Sequence, residues 1–105
     1  MNPAERILFF PKALRDLQNL DAPYARQILE DLRLLEKPPW PPGKIKKLRG
    51  CDLWEVKTGD YRALFLLHQR KAVVVRVVNR RDLERSIRRI DPALVFAWLS
   101  GAPYS

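Results

Sequence analysis

Between Lys44 and Arg81 the chain reads KIKKLRGCDLWEVKTGDYRALFLLHQRKAVVVRVVNRR, with cationic side chains gathered at the ends of apolar runs and in turns. Cations fixed on a rigid strand suit phosphate chemistry, because a guanidinium offers a planar fork of donors and keeps its charge at any relevant pH. Arg62 stands out, since it follows the turn residues Thr58-Gly59-Asp60 at the start of a strand. A salt bridge to Asp60 or Asp82 would occupy the same side chain structurally, and this competes on even terms with phosphate binding. Arg80 and Arg81 close the last apolar run and can meet Arg62 if the strands fold back on one another; helix capping and a solvated face are the plainer use of Arg81. Lys44, Lys46, Lys47 and Arg49 form a basic ladder, which either blocks unwanted strand pairing at a sheet edge or docks an RNA backbone. Glu55 can accept a proton, although an ion pair with Lys57 explains it equally well. His68 is the only histidine and has no ligand cluster around it, so a structural role outweighs a catalytic one. Trp40, Trp54 and Trp98 can stack on bases, but core packing is the better expectation. The chain has no glycine-rich phosphate loop, no HExxH and no Ser/His/Asp set.

The elements that position these residues follow from periodicity. Arg6 to Phe10 (RILFF) reads as a first strand, stopped by Pro11, which suits a helix start. Leu14, Leu17 and Leu20 recur at helical spacing. Asp21 then caps a second helix that starts near Pro23 and carries Ala25, Ile28, Leu29, Leu32 and Leu35 on one side. So short a break between two helices predicts a hairpin. The proline-rich stretch Lys37–Gly43 is a stiff loop, because prolines leave too few N–H groups for a helix or a central strand. Strands are expected at 44–49, 53–57, 61–68 and 72–78, a helix at 80–89, and a last short helix after Asp91-Pro92. Strand alternation places Leu53, Glu55 and Lys57 on one face and Trp54 and Val56 on the other. Arg62, Leu64, Leu66 and His68 likewise oppose Tyr61, Ala63, Phe65 and Leu67. In condensed form the expected order is β-α-α-β-β-β-α: an α+β domain with helices packed on one face of a small antiparallel sheet.

Composition bounds the rest. The 105 residues suffice for one domain, 1–105, with 91–105 as a C-terminal extension. A 47% hydrophobic content argues against disorder. The formal net charge of +8 favours a polyanionic partner. A lone Cys51 excludes an internal disulfide and a cysteine zinc cluster, and suits a reducing compartment. No apolar run approaches the roughly 18 residues that span a bilayer, and the N-terminal residues lack a signal pattern. A soluble, cytoplasmic protein with no membrane association is expected.

The segment KLRG-x-x-LWEVKTGDYRALFLL, followed by VVVRVVNRR, resembles the RelE/ParE superfamily of toxins from bacterial type II toxin–antitoxin systems. Four hallmarks occur in order: the K-L-x-G entry, the L-[WY]-E-[LIV]-[RK] strand, the G-[DN]-Y-R turn and strand, and a terminal strand ending in basic residues. The resemblance covers most of residues 5 to 90. For the RelE branch it implies a ribosome-dependent mRNA endoribonuclease that inhibits translation, metal-independent and without a cofactor, in which a 2′-hydroxyl attacks the adjacent phosphate. It implies Lys57, Arg62 and either Arg80 or Arg81 as cations at the reacting phosphate. It also implies the ribosome, mRNA and a cognate acidic antitoxin as partners, and with it the basic ladder Lys44, Lys46, Lys47 and Arg49, read from its own residues above, is expected to bind RNA. Two departures stand out. Asp82 to Ile87 holds no tyrosine where RelE has one just past the final arginine, and Glu55 replaces a second strand lysine. Glu55 or His68 can stand in as the acid–base group. The alternatives are a ParE-like inhibitor of DNA gyrase without ribonuclease activity, or a non-toxic basic nucleic-acid-binding module. Val95, Phe96, Trp98 and Leu99 are candidates for antitoxin docking or for core packing, with packing favoured for Trp98 and Leu99.

Overall fold

A computed structural model describes residue 4 and residues 6–101; residues 102–105 of the expected C-terminal extension lie outside the described residues. Strand β1 (Arg6–Phe9) leads into helices α1 (Pro11–Gln18) and α2 (Ala22–Leu32), and a 3-10 turn (Arg33–Glu36) ends the hairpin. Strands β2 (Ile45–Lys47), β3 (Trp54–Thr58), β4 (Tyr61–His68) and β5 (Lys71–Asn79) follow, then α3 (Leu83–Arg89) and α4 (Pro92–Leu99). Prolines open α1, α2 and α4, where a missing N–H costs nothing because the first turn has no acceptor for it. The α+β class stands, but the condensed order lacked one strand and one helix.

The five strands lie in the order β1-β5-β4-β3-β2. The sheet is mixed rather than wholly antiparallel: β1 runs parallel to β5, and every other pair is antiparallel. The helical hairpin supplies the long connection that lets β1 take the edge beside β5. Helices also cover both faces, not one. Ala13, Leu17, Ile28 and Leu32 pack with Val56, Ala63, Phe65 and Val74 on the first face. Val95, with Leu83, Ile87 and Trp98, packs on Leu53, Leu64, Leu66, Val73 and Val75 on the second. The cause lies in β4 and β5, which are apolar at both alternations and must be dried on both sides.

Two polar clamps fix the hairpin against the sheet. The partner register steps from Leu64↔Arg76 to Phe65↔Val74, leaving one extra residue on β5. That bulge aims Arg76 at α1, where Nε lies 2.7 Å and Nη2 3.1 Å from the Asp16 carboxylate, and the Val77 N–H donates to the same group at 2.9 Å. At the other clamp the Thr58 hydroxyl donates to Asp31 at 2.7 Å and the Lys44 ammonium lies 2.9 Å from it. Burial alone would push the Asp31 carboxyl up, but the Thr58 hydroxyl, the Lys44 ammonium and the Gln27 amide together hold it below its ordinary value.

A carboxyl held low in the fold stabilises at any pH above its unfolded value, and that contribution disappears as pH falls through the folded value. Thr58→Val, which keeps the shape and removes the donor, is therefore expected to cost about 1.5–3 kcal/mol at pH 7. The difference from wild type should begin to shrink as pH falls below the ordinary carboxylate range and vanish as it passes through the lower folded value of Asp31. Urea denaturation at pH 7 and pH 3 reads both; a pH-independent difference would mean the lost bond is not to an ionised carboxylate.

Candidate functional site

The second face of the sheet is dry over β4 and β5 but polar at the end where β3 turns into β4. Register sets this cluster: Lys46 lies opposite Glu55, Glu55 opposite Leu64, and Lys57 opposite Arg62. Alternation within each strand is as the sequence expects, and the register then puts Lys46, Glu55, Lys57 and Arg62 on one face. Gly59 makes the turn between the strands with a φ of +56°, a left-handed conformation that favours glycine.

Glu55 is 2% exposed. Its Oε1 lies 3.7 Å from Lys46 Nζ and its Oε2 lies 3.8 Å from Arg62 Nε. Both separations exceed hydrogen-bonding distance, and Oε2 is buried without a hydrogen-bond partner. An unpaired buried acceptor ordinarily costs 1–3 kcal/mol or more, so its retention calls for a reason. Arg62's hydrogen bonds go to backbone, with the Glu55 carboxylate at ion-pair distance only: Nη1 donates to the carbonyls of Gly59 and Tyr61, each at 2.9 Å. The pairings to Asp60 or Asp82 are not made. Asp60 lies 3.5 Å from Arg80 Nε, and Asp82 lies 2.6 Å from Arg85 Nη2. Nor is Glu55 paired with Lys57, whose half-buried side chain makes no hydrogen bond or ion pair among the described residues. The cluster thus holds a dry carboxylate, a braced guanidinium and an uncommitted ammonium side by side.

The other expected residues disperse. Lys44 turns to α2 and pairs with Asp31, while Lys47 and Arg49 are exposed at the β2 edge. Arg80 is exposed, and its N–H donates to the Asp60 carbonyl at 2.7 Å. Arg81 has its N–H capped by the Asn79 side chain at 3.1 Å and lines a separate cleft of about 370 Å³ between α1 and α3, with Arg76, Arg85 and Arg89. His68 ends β4 and packs on Phe96, ring centroids 5.2 Å apart, about 20 Å along the strand from Arg62. That distance sets His68 apart from the cluster, in which Glu55 is the carboxylate beside Lys57 and Arg62. Where the resemblance leads one to seek a tyrosine, Leu83 and Ile87 pack into the second core. The tryptophans pack as expected: Trp40 and Trp54 with Phe65, and Trp98 edge-on to Phe10. Among the described residues no group of His, Cys, Asp or Glu is placed to hold a metal ion, and no helix is long and apolar enough to cross a membrane.

Arg85, Arg89 and the neighbouring tyrosine pair Tyr24–Tyr61 were not legible as a site. The one available signal was the spacing of Arg81, Arg85 and Arg89, four residues apart, which sets them along one side of a helix.

A family model described as the ParE toxin of the type II toxin–antitoxin system, parDE, matches residues 7–84. A search of curated proteins finds no match. Among solved structures, the toxin–antitoxin complex RelBE2 from Mycobacterium tuberculosis is similar, at 26% identity and TM-score 0.63, covering 78% of this chain and 97% of that one. The archaeal RelE–RelB complex from Pyrococcus horikoshii matches at 26% identity and TM-score 0.62, covering 73% and 96%. A mutant of the E. coli toxin RelE in the free state shares the fold at 21% identity and TM-score 0.65, covering 84% and 99%. Helix α4 lies beyond the span that the family model matches.

Proposed function

This chain belongs to the ParE toxin family of type II toxin–antitoxin systems, and from that premise we propose that it is a ribosome-dependent endoribonuclease that cuts mRNA and inhibits translation. The observation that carries the reading is the buried Oε2 of Glu55, which has no hydrogen-bond partner and lies beside two cations. In this mechanism Glu55 takes the proton of a 2′-hydroxyl, and the freed oxygen attacks the adjacent phosphorus. The bond from phosphorus to the 5′-oxygen breaks, Lys57 gives that oxygen its proton, and a 2′,3′-cyclic phosphate and a 5′-hydroxyl result. Arg62 and Lys57 face the charge that gathers on the phosphoryl oxygens, a role in which preorganised donors are worth most. Lys46, Lys47 and Arg49 hold the surrounding RNA backbone, and Arg80 and Arg81 lie on the strand's exit path.

Programmed ribosomes with primer extension test this directly. Cuts are expected at fixed codon positions, and a single 2′-deoxynucleotide at a cut site should abolish cleavage there without affecting neighbouring sites. Continued cutting at the deoxy position would eliminate the 2′-hydroxyl mechanism.

A second reading, inhibition of DNA gyrase without RNA cleavage, draws on the matched ParE description and on Ile87, which packs half-buried against the second core where a tyrosine is sought. It predicts blocked supercoiling and DNA breaks with mRNA intact; normal supercoiling at saturating protein would dispose of it. Absence of growth arrest on induction would favour a non-toxic basic module over both. A cognate antitoxin is the proposed protein partner, since the M. tuberculosis and P. horikoshii relatives are complexes of that kind. A net charge of +8 calls for an acidic segment in it, and the exposed Leu94 and Phe96 of α4 are its candidate apolar contacts.

A further inference from the structure

The cleft between α1 and α3 is not part of the Glu55 cluster, yet it concentrates cations. It exists because β1 pairs only with Lys71–Val74 of β5. Pro11 then turns the chain into α1, and the rest of the β5 edge is left open. The carboxylates within reach are already matched: Asp16 by Arg76, Asp82 by Arg85 and Asp60 by Arg80. The guanidiniums of Arg81 and Arg89 make no hydrogen bond or ion pair among the described residues, and both residues are exposed. Tyr61 and Asn79 form the border with a second hollow of about 300 Å³, lined by Tyr24, Gln27 and the β3–β4 turn. There Tyr24, 53% exposed, leans on Tyr61 with ring centroids 5.5 Å apart.

We propose that this cleft and the adjoining tyrosine shelf form one track for single-stranded RNA, with Arg81 and Arg89 taking backbone phosphate and Tyr24 stacking a base. Spare guanidiniums beside an open aromatic face are the two parts that single-strand binding combines. A guanidinium fork fits phosphate oxygens bidentately, and the supported Tyr24 ring presents a flat face at little entropic cost. An acidic peptide would use the arginines but has no need of the ring, which is why RNA is the better occupant. The track deepens the nuclease reading and rests on it: it would carry message flanking the cut.

The test is fluorescence anisotropy of the free protein with a labelled 2′-O-methyl RNA octamer, which binds but offers no nucleophile. Tyr24→Ala is expected to weaken binding about ten-fold, and Tyr24→Phe, which keeps the stacking face, to bind like wild type. Arg89→Ala should weaken binding and flatten the dependence of log affinity on log salt by about 0.7. Circular-dichroism melts check that each exposed-site variant is folded. Wild-type affinity in both alanine variants overturns the track. So does a glutamate-rich peptide that displaces the RNA with equal strength from wild type and Tyr24→Ala, because the cleft would then belong to a protein partner. Ribosomal cleavage by the same preparations separates the two ideas. A cutting enzyme whose alanine variants bind normally loses the track alone. A non-cutting protein whose variants lose binding keeps the track and loses the nuclease reading.

Discussion

Glu55→Gln is expected to slow mRNA cleavage by about 10²–10⁴-fold, the range that a positioned proton acceptor contributes, while changing stability by about 1 kcal/mol or less. The two effects separate because of how the neighbours are held. Lys46 is half exposed, so losing the carboxylate leaves it solvated. Arg62 keeps the Gly59 and Tyr61 carbonyls as acceptors. Neither cation is stranded, and the amide fills the same dry space. A Glu55 that serves only as an ion-pair anchor predicts the reverse. Breaking a buried pair then costs about 3–5 kcal/mol, and cleavage per folded molecule survives. Single-turnover cleavage on programmed ribosomes, together with a urea melt of the same preparation, distinguishes the two; a destabilised variant that cuts at the wild-type rate would remove Glu55 from the chemistry.

Arg62→Ala is the second large effect. Loss of a donor aimed at developing charge is expected to cost about 10²–10³-fold in the cleavage step. Arg62 differs from Glu55 in that its removal also damages the fold locally. The β3–β4 turn loses the bonds to Gly59 and Tyr61, and Glu55 loses its nearer-buried cation. A stability loss of about 1–3 kcal/mol is therefore expected alongside the kinetic one. Arg62→Lys separates charge from geometry: it keeps a cation beside Glu55 but cannot brace against two carbonyls and present a second edge to a phosphate. It should recover stability more fully than rate. Equal recovery of both would mean that charge alone matters at this position, and an unaltered rate in the alanine variant would place the reacting phosphate elsewhere. Glu55→Gln combined with Arg62→Ala is expected to cost less than the product of the single effects, because the two groups act on one transition state.

The strands and helices were legible because their causes are local. Proline openings, the apolar stripe through Ile28 and Leu32, and the β-branched run of β5 each declare an element within a few residues. Face assignment was legible for the same reason: with a period of two, Glu55, Lys57 and Arg62 had to share a side once β3 and β4 were paired. The bulge on β5 was not legible. Nothing in VVVRVVN marks the extra residue, whose effect is felt only through Asp16, sixty positions away in sequence. Coverage of both faces was implicit in Leu64, Leu66, Val73 and Val75, but alternation alone does not say which helix lies over which face.

By itself, then, the sequence determined the elements of this toxin, the side each strand residue occupies, and the ordered basic motifs of its family. Only the tertiary structure decided which carboxylate each cation takes. Asp31 went to Lys44, Asp60 to Arg80, Asp82 to Arg85 and Asp16 to Arg76, while Glu55 took loose ion contacts to Lys46 and Arg62 and kept one buried oxygen without a hydrogen bond. The tertiary structure also sent Arg81 to a cleft of its own. The physical reason is range. Backbone periodicity acts over two to four residues and is written in the chain, whereas ion pairing depends on ångström distances between strands and helices that only register, bulge and packing set.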